Sequence, residues 1–214
     1  MALHQPDGYL ATPATGSGKP VLVLHPWWGL NDSIKAFTDQ LAEAGFLAFA
    51  ADLYHGQVTN QIEEAGKLAK SLDHDKAAAD ATEALAYLKE KSGSEDGIAV
   101  IGFSLGGSFA VHLSGSQPDD VHSVVLYYGV GEGDFSQIKA DFLGHFAEND
   151  QYEERKWVDW LEGELKKVGR SVTFHFYEGT EHWFVEPDRA DVYKPDAANL
   201  AWERTVAFLN RSRN

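Results

Sequence analysis

Short apolar runs alternate with longer amphipathic segments along most of this chain, and that alternation constrains the fold more than any other feature of the sequence. A short continuous apolar run is typical of a strand covered on both faces, whereas apolar residues three and four positions apart indicate one face of a helix. Six runs are predicted as strands: Val21–Leu24, Phe46–Ala50, Ile98–Ile101, Ser123–Tyr128, Phe142–Ala147 and Val172–Tyr177. A weaker segment, Gly8–Thr12, is predicted as an additional edge strand.

The amphipathic segments between these runs are predicted to be helices. Asp32 and Ser33 are candidate N-caps for the first, which is expected to close at Gly45. A later helix is expected to end at Gly169, with one face made by Trp157, Leu161, Leu165 and Val168. The remaining predicted helices are Asn60–Leu72, Asp75–Lys91, Leu105–Ser114 and a final segment from Asp196 to about Asn210.

Repeated strand–helix alternation implies right-handed crossovers and a mostly parallel sheet with helices on both faces. No repeat, low-complexity linker or change in composition divides the chain, so residues 1–214 are predicted to form a single α/β domain.

Charge and composition exclude several classes of function. The chain has 18 Lys and Arg against 33 Asp and Glu, a net charge of −15 that disfavours nucleic acid and anionic membrane surfaces as partners. Because the sequence has no cysteine, it can form neither a disulfide nor a thiolate metal site, and it has no thiol nucleophile. With no apolar signal segment, no long apolar run and no H-E-x-x-H pair, we expect a cytoplasmic protein without metal or cofactor.

The string GFSLGG, residues 102–107, carries the clearest chemical signal. It fits the pattern G-x-S-x-G and lies between a predicted strand and a predicted helix, which is the setting of a nucleophile elbow. Such a turn exposes the hydroxyl of Ser104 and leaves no room for side chains at Gly102 and Gly106. It also directs the backbone N–H of Leu105 toward the position of an oxyanion.

A serine hydroxyl needs a general base, which is usually a histidine oriented by a carboxylate. In this architecture the chain order is Ser, then Asp or Glu, then His. His182 follows the last predicted strand, at the edge of the sheet where active sites gather, so it is the candidate base. The other downstream histidines lie close to the elbow or inside predicted strands: His112, His122, His145 and His175.

Asp150 is the candidate acid, because it follows the strand Phe142–Ala147 and falls in the required chain order. An aspartate at this place also suits the N-cap of the next helix. Glu148 and Asp134 occupy similar positions and remain alternatives.

Five motifs together resemble the dienelactone hydrolase family of α/β-hydrolases. They are HPWWGLN (25–31), ADLY (51–54), GFSLGG (102–107), GHFAEND (144–150) and the loop from Gly179 to His182. The resemblance implies the α/β-hydrolase fold, with Ser104, Asp150 and His182 as nucleophile, acid and base. It also implies that the backbone N–H of Trp27 is the second oxyanion donor.

The sequence departs from the family pattern in ways that bear on the substrate. The best-known members use a cysteine nucleophile controlled by a loop glutamate, whereas this chain has Ser104 and Pro26 at those positions. Gly56 and Glu186 stand where the family holds a substrate carboxylate with arginines, and neither can pair with an anion. We therefore expect small uncharged esters or lactones as substrates.

The predicted function is serine-dependent hydrolysis through an acyl-enzyme, with a small molecule as partner and a monomer or homodimer as assembly. Thioester or acyl-peptide hydrolysis by the same triad is an alternative, as is a catalytically idle fold that only binds a ligand. Aromatic residues flanking the predicted site either line an apolar pocket or close the core: Trp27, Trp28, Tyr54, Phe103 and Trp183.

Overall fold

The computed structural model describes residues 4–211, and most of the apolar runs of the sequence lie in a seven-stranded sheet. The strands are β1 (Gly8–Ala11), β2 (Pro20–Leu24), β3 (Leu47–Ala51), β4 (Ile98–Phe103), β5 (Val121–Tyr127), β6 (Asp141–Asn149) and β7 (Val172–Glu181). Their spatial order is β1-β3-β2-β4-β5-β6-β7, and only β1 runs antiparallel to its neighbour. The predicted mostly parallel α/β sheet is confirmed, including the edge strand at Gly8.

Five α-helices lie between these strands and a sixth follows β7: α1 (Asp32–Glu43), α2 (Ile62–Ser71), α3 (His74–Ser92), α4 (Leu105–Ser116), α5 (Arg155–Lys167) and α6 (Pro195–Leu209). A short 3-10 helix covers Phe135–Gln137. Every residue of β2, β3 and β4 is buried, and the apolar core divides into two clusters. The central strands therefore lack a polar alternation because both of their faces are covered.

The strand ends that carry the predicted acid and base extend further than the apolar runs suggested. β6 reaches Asn149 and β7 reaches Glu181, because the two strands resume pairing at this point after a register shift at Ala147. Asp150 and His182 are consequently the first residues after two adjacent parallel strands. Their side chains emerge at the same edge of the sheet.

The predicted N-caps of α1, Asp32 and Ser33, lie one and two residues after the observed cap. Asn31 caps the helix, since its side-chain oxygen accepts a hydrogen bond from the backbone N–H of Ile34 at 3.0 Å. Asn31 has the extended backbone that a cap requires (φ −81°, ψ 177°), whereas Asp32 and Ser33 already lie in the first helical turn. The predicted end holds, with Ala44 as the C-cap and Gly45 next at φ 94°.

Two further helix predictions are corrected at the level of single residues. Trp157 is 48% exposed, and Val158 takes the expected place on the buried face of α5. α6 begins at Pro195, so Asp196 lies inside the first turn and makes no cap. An acidic residue in that turn still interacts favourably with the helix dipole.

Candidate active site

The turn between β4 and α4 has the geometry of a strained elbow. Ser104 has φ 48° and ψ −112°, a conformation that residues with a Cβ rarely adopt. A Cβ on Gly102 would lie 2.4 Å from the carbonyl oxygen of Gly106, and one on Gly106 would lie 2.2 Å from that of Leu24. Both positions require glycine, because Gly102 lies against the first turn of α4 and Gly106 lies against the end of β2.

Three predicted side chains form a continuous hydrogen-bonded chain. The Oγ of Ser104 lies 2.9 Å from Nε2 of His182, and Nδ1 of His182 lies 2.7 Å from Oδ2 of Asp150. Because a carboxylate oxygen only accepts, Nδ1 must carry the proton, which leaves Nε2 to accept from the serine hydroxyl. His182 is 3% exposed, so little water competes with these bonds.

The turn after β6 orients Asp150. Its Oδ1 accepts the backbone N–H groups of Tyr152 at 2.9 Å and of Glu153 at 2.8 Å, which leaves Oδ2 to His182. Asp150 does not cap α5, whose N-cap is Glu154. The two rival acids are bonded elsewhere, Glu148 to the backbone N–H of Gly179 and Asp134 to that of Ser136.

The other downstream histidines do not contact Ser104. His145 is fully buried on β6, where its ring nitrogens lie 2.7 Å from the hydroxyl of Tyr177 and 2.9 Å from that of Thr205. Burial lowers its pKa well below the ordinary value and keeps the ring neutral. His175 pairs with His145 across the strands, His112 is exposed on α4, and His122 lies on β5 beside Ser123.

The predicted oxyanion donors come from backbone at two neighbouring strand ends. Leu105 is the first residue of α4, so its N–H belongs to the helical turn whose donors have no partner within the helix. Trp27 lies in the loop after β2, the strand whose end touches the elbow. Among residues 4–211, no group of three or more histidine and acidic side chains is arranged to hold a metal ion.

Comparison with known proteins decides the family. Residues 7–212 match the dienelactone hydrolase family. The chain belongs to this family. It is similar to Protein usf of Aquifex pyrophilus, with 35% identity over 94% of this chain and 91% of that protein. It is also 26% identical to carboxymethylenebutenolidase of Pseudomonas sp. (strain P51), over 96% of this chain and 90% of that protein.

A solved structure agrees on the fold. MGS-M1, an α/β hydrolase from a Medee basin deep-sea metagenome library, superposes with a TM-score of 0.71. It is 20% identical, and the match covers 92% of this chain and 86% of that one. As a member of the dienelactone hydrolase family, this protein is an ester or lactone hydrolase. No helix in the described part of the chain has the length and apolarity to cross a membrane.

The aromatic residues around this hydrolase site divide into two groups. Those predicted from the sequence mostly close the core, since four are at most 3% exposed and only Trp27 is half-buried; the four are Trp28, Tyr54, Phe103 and Trp183. Tyr152, which the sequence did not single out, is 41% exposed, and its ring centre lies 5.2 Å from that of His182. The one feature of the sequence that could have pointed to Tyr152 is its position two residues after the candidate acid, Asp150.

The two positions that the resemblance matched to carboxylate-binding arginines have other roles in this chain. Glu186 is buried, and the hydroxyl of Tyr128 donates to its Oε1 at 2.6 Å. Burial raises the pKa of Glu186 to about 8, so it is mostly protonated at neutral pH. The backbone N–H of Gly56 donates to Asp52 at 2.7 Å. Neither position supplies a cation.

An arginine that the sequence analysis missed lies in the same loop as Glu186. The guanidinium of Arg189 lies 4.7 Å from the ring centre of Trp28 and 4.9 Å from that of Trp183. It also pairs with Asp191 at 3.1 Å. The guanidinium of Arg189 is therefore occupied by an ion pair with Asp191 and by contacts with the two tryptophan rings.

Proposed function

We propose that this protein hydrolyses small uncharged esters or lactones by a serine-dependent acyl-enzyme mechanism. The observation that carries the proposal is the unbroken hydrogen-bonded chain from Ser104 through His182 to Asp150. A serine on a strained turn, a base within hydrogen-bonding distance and a carboxylate that orients the base are the elements of nucleophilic acyl transfer.

In the first half-reaction, Oγ of Ser104 attacks the carbonyl carbon while Nε2 of His182 takes the hydroxyl proton. Asp150 accepts from Nδ1, holds the ring in the required tautomer and stabilises the imidazolium. The negative charge on the carbonyl oxygen is stabilised by the backbone N–H groups of Leu105 and Trp27. Collapse of the tetrahedral intermediate breaks the ester C–O bond, and the departing alkoxide oxygen receives the proton from His182.

In the second half-reaction, His182 removes a proton from water, and the resulting hydroxide attacks the acyl carbon. The second tetrahedral intermediate expels Oγ of Ser104, which regains its proton from His182. The products are a carboxylic acid and an alcohol. For a lactone, both groups remain on one molecule.

The preference for uncharged substrates rests on electrostatics. The two family positions for carboxylate-binding arginines are a glycine and a buried glutamate, and Arg189 is already paired. A net charge of −15 further disfavours the approach of an anion. Uncharged esters and lactones need no cationic side chain for binding, and the net negative charge of the protein does not repel them.

The experiment compares Ser104→Ala with the wild type on a panel of short-chain esters, lactones and thioesters. Loss of the nucleophile should lower kcat by at least about 10⁴-fold. Ser108→Ala is the matched control, since this hydroxyl lies on the same helix and only donates to the carbonyl of Leu105. The control should stay within about threefold of the wild type.

Retained turnover in Ser104→Ala would contradict the proposal. A higher kcat/KM for thioesters than for matched oxygen esters would favour the alternative substrate class. A folded wild type that turns over nothing on the panel and resists a fluorophosphonate probe would favour a binding role.

A further inference from the structure

His25 is a buried histidine that the catalytic chain does not use. It follows β2 directly and is fully inaccessible to solvent. Both of its ring nitrogens are engaged: Nδ1 lies 2.7 Å from the carbonyl oxygen of Pro26, and Nε2 lies 3.1 Å from the backbone nitrogen of Leu53. A buried polar side chain that is hydrogen-bonded to two backbone groups restricts the positions of both groups.

The partners determine the tautomer of His25. A backbone N–H only donates, so Nε2 accepts from Leu53, and Nδ1 must donate to the carbonyl of Pro26. Burial lowers the pKa of His25, which favours this neutral form. The nearest carboxylate, that of Asp52, lies 3.9 Å from Nε2. Because a carboxylate carries no proton, it cannot donate a hydrogen bond to this nitrogen.

The hydrogen bond to Pro26 restricts the peptide that joins Pro26 to Trp27. The carbonyl of Pro26 accepts from His25 and, at 3.1 Å, from the backbone N–H of Gly29. In a planar trans peptide the C=O and the following N–H point in opposite directions. With the carbonyl held from two sides, the direction of the Trp27 N–H is determined as well.

The order of the strands indicates where that N–H points. β2 lies between β3 and β4, and the ring of His25 is bonded to Leu53, which follows β3. The carbonyl of Pro26 therefore faces the β3 side, and the N–H of Trp27 faces the β4 side.

The proposed nucleophile lies on that same side. Ser104 follows β4 directly, and Gly106, two residues further along the elbow, packs against the carbonyl of Leu24 at the end of β2.

We propose that His25 is a positioning residue for the oxyanion hole: its Nδ1–H holds the Pro26 carbonyl so that the Trp27 N–H points at the oxygen above Ser104. This inference rests on the proposed function, because it assigns an oxyanion to that N–H. His25 does not touch the substrate. It acts through the peptide that it orients, and preorganised donors of this kind contribute most of their effect in the transition state.

Three substitutions separate positioning from simple support of the fold. His25→Asn places an amide N–H at the same distance from the backbone as Nδ1, so it keeps the donor to Pro26 and loses the acceptor for Leu53. His25→Met and His25→Leu fill the space without any donor. Rates are expressed per active site titrated with a fluorophosphonate, so that an unfolded fraction does not enter kcat.

Loss of the donor should lower kcat by about 10²–10³-fold while KM changes by less than about threefold. An alkyl boronic acid, which mimics the tetrahedral intermediate, should bind more weakly by a similar factor. His25→Asn should recover most of the lost rate. The inference is overturned if the donor-free variants stay within threefold of the wild-type kcat, if the loss appears in KM, or if His25→Asn is as impaired as they are.

A measurement on the wild type keeps the inference testable if the donor-free variants do not fold. Long-range ¹⁵N–¹H correlation spectra of the histidine rings should show His25 neutral with its proton on Nδ1. A proton on Nε2, or on both nitrogens, would overturn the inference. Failure of the proposed function is distinguished because it would appear as wild-type turnover that does not depend on Ser104.

Discussion

Two buried histidines on neighbouring parts of the sheet have similar burial and different surroundings. His145 is fully buried and His182 is 3% exposed, and in each ring both nitrogens have hydrogen-bond partners. His145 lies within β6 between the hydroxyls of Tyr177 and Thr205, whereas His182 follows β7 between a carboxylate and a serine. Burial and satisfied hydrogen bonds therefore do not identify a catalytic base.

The two environments differ in how they affect protonation of the imidazole ring. Two hydroxyl partners give His145 no compensating charge, and its lowered pKa disfavours the imidazolium. At His182 the Asp150 carboxylate compensates the positive charge that forms when the ring accepts a proton. Of these two rings, that of His182 lies beside a carboxylate, whereas that of His145 lies between two hydroxyls, and this difference separates the proposed base from the structural histidine.

The largest expected effect comes from removing the proposed base. His182→Gln should lower kcat by about 10⁴–10⁶-fold, because Ser104 loses its proton acceptor. The matched control is His145→Gln, which should retain kcat within about threefold per titrated site. Steady-state ester hydrolysis measures kcat for both variants. Comparable losses of kcat would contradict the assignment of His182 as the base and of His145 as a structural residue.

The next effect tests the carboxylate. Asp150→Asn should lower kcat by about 10⁴-fold, because an amide can donate to Nδ1 and so favours the wrong tautomer of His182. Glu148→Gln is the control, since its side-chain oxygen can still accept from Gly179 and should leave kcat within about threefold. Equal losses in the two variants would reopen the choice of acid.

A second carboxyl near His182 is predicted to affect stability rather than rate. Glu186 has a pKa of 4.5 in the unfolded chain and about 8 in the fold, where Tyr128 contacts both it and His182. A carboxyl whose pKa is raised by folding contributes stability that is complete below about pH 4.5 and is lost as the pH rises toward 8.

Relative to Glu186→Gln, the unfolding free energy of the wild type should therefore fall between these pH values, by an amount on the order of 4 kcal/mol. Urea unfolding of both proteins from pH 4.5 to 8.5 measures this difference. A constant difference across the range would mean that Glu186 ionises normally in the fold.

The smallest expected effect concerns the structural histidine. His145→Gln should lower the unfolding free energy by about 1–3 kcal/mol, because the hydroxyls of Tyr177 and Thr205 lose part of their hydrogen bonding in a buried site. Urea denaturation measures the change, and a variant as stable as the wild type would contradict the structural role.

The sequence predicted the parallel sheet and the order of the strands along the chain, because continuous apolar runs report burial directly. It also predicted Ser104, Asp150 and His182 as candidates, since each follows a predicted strand and the glycines around Ser104 have a steric purpose. The cap at Asn31 was missed because three polar residues in succession all suit a cap, and only backbone conformation selects one.

Other features depend on contacts between distant parts of the chain. The bond from Tyr128 to Glu186 joins residues 58 positions apart, and that from Leu53 to His25 joins residues 28 apart. No local periodicity marks such pairs. Tyr152 was missed for the same reason, because its exposure and its contact with His182 emerge only once β6 and β7 are paired.

The most direct measurement is to locate a fluorophosphonate adduct by peptide mass spectrometry in the wild type, Ser104→Ala and His182→Gln. The account predicts one adduct in the wild type, on Ser104, no adduct in Ser104→Ala, and labelling of His182→Gln slowed by at least about 10³-fold. An adduct on another residue, or a His182→Gln variant labelled as fast as the wild type, would contradict it.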